Sequence, residues 1–405
     1  MTIGFTGPFS DVNFGDYAML VNNVRTLGAT EYTVFAYDRQ FLDRIQQHYL
    51  SDHRVSVIEV HGLDRLVGSE ASHRRLTPIE VLRAVTNLDE VMDAVSRLDV
   101  LYVNGGGYIN SLWSRPHRLE RLLTILTPVL AASAVGTPVV YTANGFGPIR
   151  GDEEFFSAML TYAPEARYGV RDRLQSPAWL SRLGIDGARI SVLPDDLLFI
   201  DESLLPPQSP PISDPYVVVE TYLAVEELER HVDQFTRFAT TMRERHGLKI
   251  VVLPFNLGYA GVDQANLLRK AAEGIEVVDI TSTGFLPIEE AVRVVRGAEL
   301  VIASRYHALI LALGAGTPFV SVLKDVLGDK QYYFTKNAGA LDGALHGQPH
   351  DPRDYFATDL GAAFDDVAKD FLGITSRQRM TFAAASARTF PALRAARSAH
   401  LGLGG

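Results

Sequence analysis

Short runs of β-branched and aromatic residues recur along this chain, each followed by an amphipathic stretch of helical length. That alternation constrains the fold more than any other feature, because strands joined by crossover helices lie parallel in one sheet. The expected fold class is α/β. In the first half Thr2–Thr6, Tyr32–Tyr37, Arg54–Val60, Val100–Asn104, Pro138–Thr142, Tyr168–Arg171 and Ile190–Leu193 read as strands, with helices over Asp16–Leu27, Leu88–Ser96 and Arg118–Ser133. Residues 201–215, DESLLPPQSPPISDP, then bring five prolines that neither continue a helix nor sit in a central strand. Beyond them the pattern restarts, with strands at Tyr216–Thr221, Lys249–Pro254, Glu276–Ile280, Leu300–Ala303 and Phe319–Leu323 and helices at Val225–Arg245, Asp263–Glu273, Pro287–Arg296 and His307–Gly314. The expected organisation is a Rossmann-like domain over 1–204, a Pro-rich linker at 205–215, a second Rossmann-like domain over 216–345 and a helical tail over 346–405. Two such halves facing each other place a ligand cleft between them, at the carboxyl ends of the strands.

Composition narrows the function. With 47% hydrophobic and 21% charged residues, the 405-residue chain can bury a sizeable core. A formal charge of -10 argues against a protein that tracks a nucleic-acid backbone. The absence of cysteine removes disulfides, zinc-thiolate sites, iron-sulfur clusters and thiol nucleophiles together. Met1–Gly7 lacks the basic and apolar regions of a secretory signal, and the apolar stretch Ala308–Leu323 is short and broken by Gly314, Gly316 and Pro318. A cytoplasmic protein is expected. Arg377, Arg379, Arg388, Arg394 and Arg397 in the tail leave a peripheral membrane association open, although a solvated helix is the favoured reading of that segment.

Five motifs stand at expected strand ends. Asn13-Phe14-Gly15-Asp16 opens a helix, whose free N–H groups suit an anion, although a simple cap accounts for it slightly better. Asn104-Gly105-Gly106-Gly107 exposes consecutive N–H groups, more glycine than a turn needs, and Trp113, Arg115, His117 and Arg118 follow as either a sugar-phosphate face or a plain loop. Asn144-Gly145-Phe146-Gly147-Pro148 repeats the theme. Gly169-Val170-Arg171-Asp172 is either a structural ion pair or an anion contact, and Pro194-Asp195-Asp196 reads best as a cap. The strongest is Ser304-Arg305-Tyr306-His307, a strand end breaking into a small-residue helix, where arginine and imidazole together make a clamp for phosphate or carboxylate.

Taken in order, Asn13-Phe14-Gly15-Asp16, Gly105-Gly106-Gly107, Gly145-Phe146-Gly147-Pro148-Ile149, Val170-Arg171-Asp172, Pro194-Asp195 and Ser304-Arg305-Tyr306-His307-Ala308 resemble the motif series of the polysaccharide pyruvyl transferase family, over roughly residues 2–336. Tyr17, Asn144, Phe146 and the long aromatic segment Lys324–Lys336, with Tyr332, Tyr333 and Phe334, depart from the usual pattern. The resemblance implies a fold like that of the GT-B glycosyltransferases and phosphoenolpyruvate as a small-molecule donor. It further implies a sugar, glycan or other diol acceptor, lipid-linked or free, in exopolysaccharide or cell-wall glycan synthesis. No cofactor, metal or nucleic acid is called for, and a homo-oligomer is compatible with it. By the same analogy Arg305, Arg171 and Lys330 contact the donor's anionic groups, joined by Gly105, Gly106, Gly107, Asn144, Gly145 and Gly147. Asn13, Asn104, Trp113 and Arg115 fall on the acceptor side, and His307, Asp16 and Asp172 are the candidates for proton transfer, with acid and base unassigned. Two other classes share these features: a GT-B glycosyltransferase using a nucleotide sugar, and a non-catalytic ligand-binding relative.

Overall fold

The computed structural model describes residues 1–9, 13–68, 72–205, 212, 214–258, 261–325 and 330–403. Most of the expected linker, residues 206–211 and 213, lies outside them. The chain divides into two units, the first comprising Met1–Asp11, Gly15–Asp196 and Ala395–Gly405, the second Val12–Phe14 and Leu197–Arg394. The division therefore falls at Asp196/Leu197. The helical tail is not a separate element: its larger part joins the second unit, and the last eleven residues join the first.

Among the described residues the first unit carries eight strands: β1 Ile3–Thr6, β2 Glu31–Ala36, β3 Arg54–Glu59, β4 Val100–Val103, β5 Gly106–Ile109, β6 Val139–Phe146, β7 Arg167–Val170 and β8 Ile190–Val192. They form one parallel sheet in the order β3-β2-β1-β4-β6-β7-β8, with β5 alongside β6. Strands such as β1 and β4 are buried along their whole length, as a parallel sheet covered on both faces requires, which is why they read as unbroken apolar runs. The helix Pro116–Val135 covers one face. Proline at its first turn and Gly136 at its end set its limits, Leu122, Leu123, Leu126 and Val129 enter the core, and Ile125 O accepts from Thr6 Oγ1 at 2.8 Å.

Two motifs expected as loops are strand. Gly106–Ile109 is β5, and Ala143–Phe146 continues β6, because Gly106 pairs with Asn144 and Ile109 with Phe146 across an irregular register. The backbone N–H groups expected to form a free nest are thus partly committed to a short ladder. The ladder between β6 and β7 also shifts register between Tyr141 and Asn144. There Gly169 lets β7 pass so close that a Cβ would sit 1.8 Å from Thr142 O.

The second unit holds, among the described residues, β9 Tyr216–Glu220, β10 Lys249–Val252, β11 Ile275–Val277, β12 Leu300–Ala303, β13 Phe319–Val322 and β14 Phe356–Ala357. Their order is β11-β10-β9-β12-β13-β14, again all parallel. The expected helix Val225–Arg245 is two, Val225–Glu229 and Val232–His246. The helix Tyr306–Ala315 is apolar all round and accordingly buried through Leu313. No helix among the described residues is long and apolar enough to cross a membrane. In each sheet the strand order reverses once, between β1 and β4 and between β9 and β12, and the carboxyl ends at such reversals are where open α/β sheets bind ligands.

Gly169→Ala tests the strand packing. Because the obstructing atom is backbone, relief requires the strands to part, and the substitution is expected to cost about 1–3 kcal/mol or more. Denaturant unfolding of the full chain measures it, and an unchanged midpoint would contradict this packing.

Candidate functional site

In the second unit the strand-order reversal is occupied by a compact charged cluster. Glu220 ends β9 and is buried; its Oε2 accepts from the backbone N–H of Ser304 at 3.1 Å and of Arg305 at 2.8 Å, while Arg305 Nε stands 3.1 Å from Oε1. One carboxylate thereby ties the end of β9 to the end of β12 and fixes the root of the Arg305 side chain. Burial raises the Glu220 pKa above the usual carboxylate range, and the Arg305 charge and the two N–H donors oppose that shift. The Arg305 guanidinium lies 3.9 Å from the ring centroid of Tyr222, and the Lys324 ammonium 3.4 Å from the same centroid. Tyr222 is held in turn, its N–H donating to Ser304 Oγ at 2.6 Å. Burial and the neighbouring Arg305 charge lower the Lys324 pKa to about 8, against the pull of Glu227 and Glu220.

His307 stands in the first turn of the helix Tyr306–Ala315, buried, its ring edge-on to Tyr306 at 5.1 Å, and Lys336 Nζ lies 4.3 Å from the Tyr306 centroid. Asn13, which groups with this unit, accepts from Arg305 NH1 at 3.4 Å. Arg305 thus meets Asn13, a residue expected on the acceptor side, and is surrounded by Glu220, Tyr222 and Lys324, while His307 and Lys336 lie against Tyr306. Lys330 is placed elsewhere, donating to the carbonyl of Thr358 beyond β14. Residues 326–329, within the long aromatic segment, lie outside the described residues.

In the first unit the equivalent reversal is floored by a buried polar network. Asn104 Oδ1 accepts from Asn23 at 2.8 Å, and its backbone carbonyl accepts from Tyr108 at 2.7 Å and from Asn144 at 3.0 Å. Asp196 Oδ2 accepts from Thr142 at 2.6 Å and Asn23 at 3.0 Å. It stands so close to the glycine turn that a Cβ at Gly105 would fall 2.4 Å from it. Asp16, in the first turn of the helix Phe14–Leu27, accepts from Asn104 Nδ2 through its backbone carbonyl at 3.4 Å. Gly107 O accepts from Asn110, and Gly147 N–H donates to Ile109 O. Trp113 is half-buried, edge-on to Tyr108 at 5.9 Å and beneath the Arg118 guanidinium at 5.7 Å, whereas Arg115 starts the helix Pro116–Val135 without capping it by its side chain.

Two expectations change character here. Arg171 forms a buried ion pair with Asp195 at 2.9 Å, both side chains almost fully enclosed, and its Nε lies 3.3 Å from where a Cβ of Gly145 would be. Asp172 engages its Oδ1 with the N–H groups of Gln175 at 2.7 Å and Ser176 at 3.0 Å and its Oδ2 with the Ser176 hydroxyl. Asp172 thereby ties down the backbone that leads into the helix Ser176–Arg182.

Solved structures with this architecture include HepE from Anabaena in complex with UDP-glucose (TM-score 0.57, 14% identity, 99% of each chain covered). They also include MnaA from S. aureus with UDP (0.56, 10%, 94% of this chain and 90% of that one) and UDP-GlcNAc 2-epimerase from Neisseria meningitidis bound to UDP-GlcNAc (0.54, 11%, 95% and 94%). At such identities the likeness concerns the fold, which is the α/β fold of the GT-B class with two Rossmann-like units. No curated protein matches the sequence. The description of the polysaccharide pyruvyl transferases matches residues 13–324, and the chain belongs to that family.

The lowered Lys324 pKa makes a test possible. The ammonium attracts an anion only while protonated, so sulfate binding is expected to weaken as pH rises through about 8. In the ligand-free protein stability should rise from that pH upward, because the unfolded chain still binds the proton that the folded chain has lost. Calorimetric titration on either side of that pH checks the first expectation, and Lys324→Met should flatten the dependence. A pH profile identical in both proteins would remove Lys324 from the anion site.

Proposed function

We propose that the protein transfers the pyruvyl group of phosphoenolpyruvate to a pair of hydroxyls on a sugar or glycan-like acceptor, closing a cyclic ketal and releasing phosphate. The observation that carries this reading is the Arg305–Tyr222–Lys324 cluster at the strand-order reversal of the second sheet, in a chain of this family. Two cations lie against one aromatic ring, and the arginine's root is fixed by Glu220. Such a pair suits a ligand that carries both phosphate and carboxylate.

The reaction places few demands beyond charge and proton control. A proton added to the donor's methylene carbon makes a methyl group and leaves an oxygen-stabilised cation at the adjacent carbon. One acceptor hydroxyl forms a C–O bond there and loses its proton. The bond to phosphate then breaks, and the second hydroxyl takes its place. Of the two hydroxyl protons released, one balances that taken up by the methylene and the other leaves with phosphate. Arg305 and Lys324 neutralise the donor and the departing phosphate. His307, in the first turn of the helix that follows Arg305, is the proton donor to carbon or a phosphate ligand. With Asp172 bonded to Gln175 and Ser176, Asp16 is the favoured candidate to accept the hydroxyl proton. The half-buried Trp113 and the nearby arginines of the first unit suit an acceptor with an apolar sugar face.

Nucleotide-sugar transfer is the rival reading, since the fold neighbours named above were solved with UDP or UDP-sugars. Titration of the protein with phosphoenolpyruvate and with UDP-sugars separates the two: stabilisation by a UDP-sugar and none by phosphoenolpyruvate would decide for the rival. Arg305→Lys retains the charge but loses the planar fork, and donor affinity is expected to fall by about one to two decades, or 1.5–3 kcal/mol, in calorimetry. His307→Ala, if the imidazole delivers the proton, should lower phosphate release far more than donor affinity. Both variants binding and turning over normally would exclude this site. Exhaustive chelation is expected to leave phosphate release unchanged, and a loss restored by a divalent ion would show that a metal takes part.

A further inference from the structure

The end of the chain departs most from its expected role. The helix Phe390–Leu401 enters the first unit, to which the residues from Ala395 onward belong, and there the tail is anchored rather than solvated. Arg397 NH2 donates to Asn23 Oδ1 at 2.6 Å, and its Nε stands 3.6 Å from Asp196 Oδ1. His400 Nε2 lies 2.9 Å from the carbonyl oxygen of Tyr141 on β6, and Leu401 O accepts from Tyr102 of β4 at 2.8 Å. Arg397 and His400 are only 6% exposed. Burial lowers the His400 pKa, which favours a neutral ring that donates to the Tyr141 carbonyl.

These anchors act on the strands that carry the glycine motifs. The carboxyl end of β4 leads into Asn104 and Gly105, and Asn144 and Gly145 lie within β6. Arg397 is the only cation within ion-pairing distance of Asp196 among the described residues, and Asp196 is 1% exposed. A buried carboxylate without a compensating charge is strongly disfavoured. The same carboxylate bonds Thr142 and Asn23, Asn23 bonds Asn104, and Asp196 Oδ2 forms the wall that leaves residue 105 no room for a side chain.

We propose that Arg397 is a positioning residue: through Asp196 and Asn23 it sets Asn104 and holds the Gly105–Gly107 backbone in one place at the strand-order reversal of the first sheet. The importance of that loop to a ligand rests on the function proposed above, but the positioning itself does not.

Amide hydrogen exchange on the full-length protein tests it. In Arg397→Met, exchange over residues 104–108 is expected to accelerate about a hundredfold or more, the low end of what an uncompensated buried charge costs, while peptides from Val100–Val103 and from the second unit stay protected. The double variant Arg397→Met/Asp196→Asn removes both charges and should restore protection of the loop. If Arg397→Met does not fold, Arg397→Lys serves instead, since one ammonium cannot serve Asn23 and Asp196 in the geometry of a guanidinium, and the same local acceleration is expected. Loop exchange unchanged in the folded variant, or raised equally throughout the first unit, would overturn the proposal. Failure of phosphoenolpyruvate to bind any form of the protein would count against the proposed function and leave this result standing.

Discussion

The second unit turns on one buried carboxylate. Glu220 sits at the end of β9, where the sheet reverses order, and receives the N–H groups that begin the turn after β12. Without it two backbone donors would be left in an enclosed place and the Arg305 guanidinium would have no fixed counter-charge. With it, Arg305 is aimed, Tyr222 lies beneath it, and Lys324 is drawn onto the same ring despite the repulsion between the two cations. Glu220 opposes the field of Arg305, and Lys324, on the same ring, feels the repulsion of Arg305 and the attraction of Glu220 and Glu227 together.

The first unit solves a related problem differently. Its reversal point carries glycine and asparagine rather than cations, and the charge, in Asp196 and Arg397, is buried beside the glycine turn. The Arg171–Asp195 pair is likewise enclosed. Buried pairs of this kind add little net stability relative to apolar residues of similar volume, but each partner becomes costly once the other is removed. They make geometry depend on specific residues, as a site requires.

How far the sequence reveals the site depends on whether a signal is local. The position of Arg305 and His307 was legible because an apolar strand breaking into a helix of Ala, Leu and Gly places them at the carboxyl end of the sheet by connectivity alone. Asp172 was legible as a residue but not in its role, since Gln175 and Ser176 meet it only once the following helix has formed. Glu220 gave a weak signal, an acid closing the run YVVV, and nothing in that run points to Ser304 and Arg305 more than eighty residues away. Lys324, at the close of a strand, was overshadowed by Lys330, which the structure bonds to Thr358. The glycines of β5 and β6 read as turns because strand pairing between Gly106 and Asn144 is non-local.

By itself, then, the sequence determined the parallel α/β architecture, its restart after the prolines and the strand ends at which chemistry gathers, because hydrophobic periodicity and chain connectivity are properties of neighbours. Tertiary structure alone decided which buried charges compensate each other. Arg397 reads as one more arginine in a basic tail until the fold brings it to Asn23 and Asp196, 374 residues from the first of them in the chain. The strength of a charge depends on its surroundings and on what lies within a few ångströms of it, and no pattern along the chain encodes that distance.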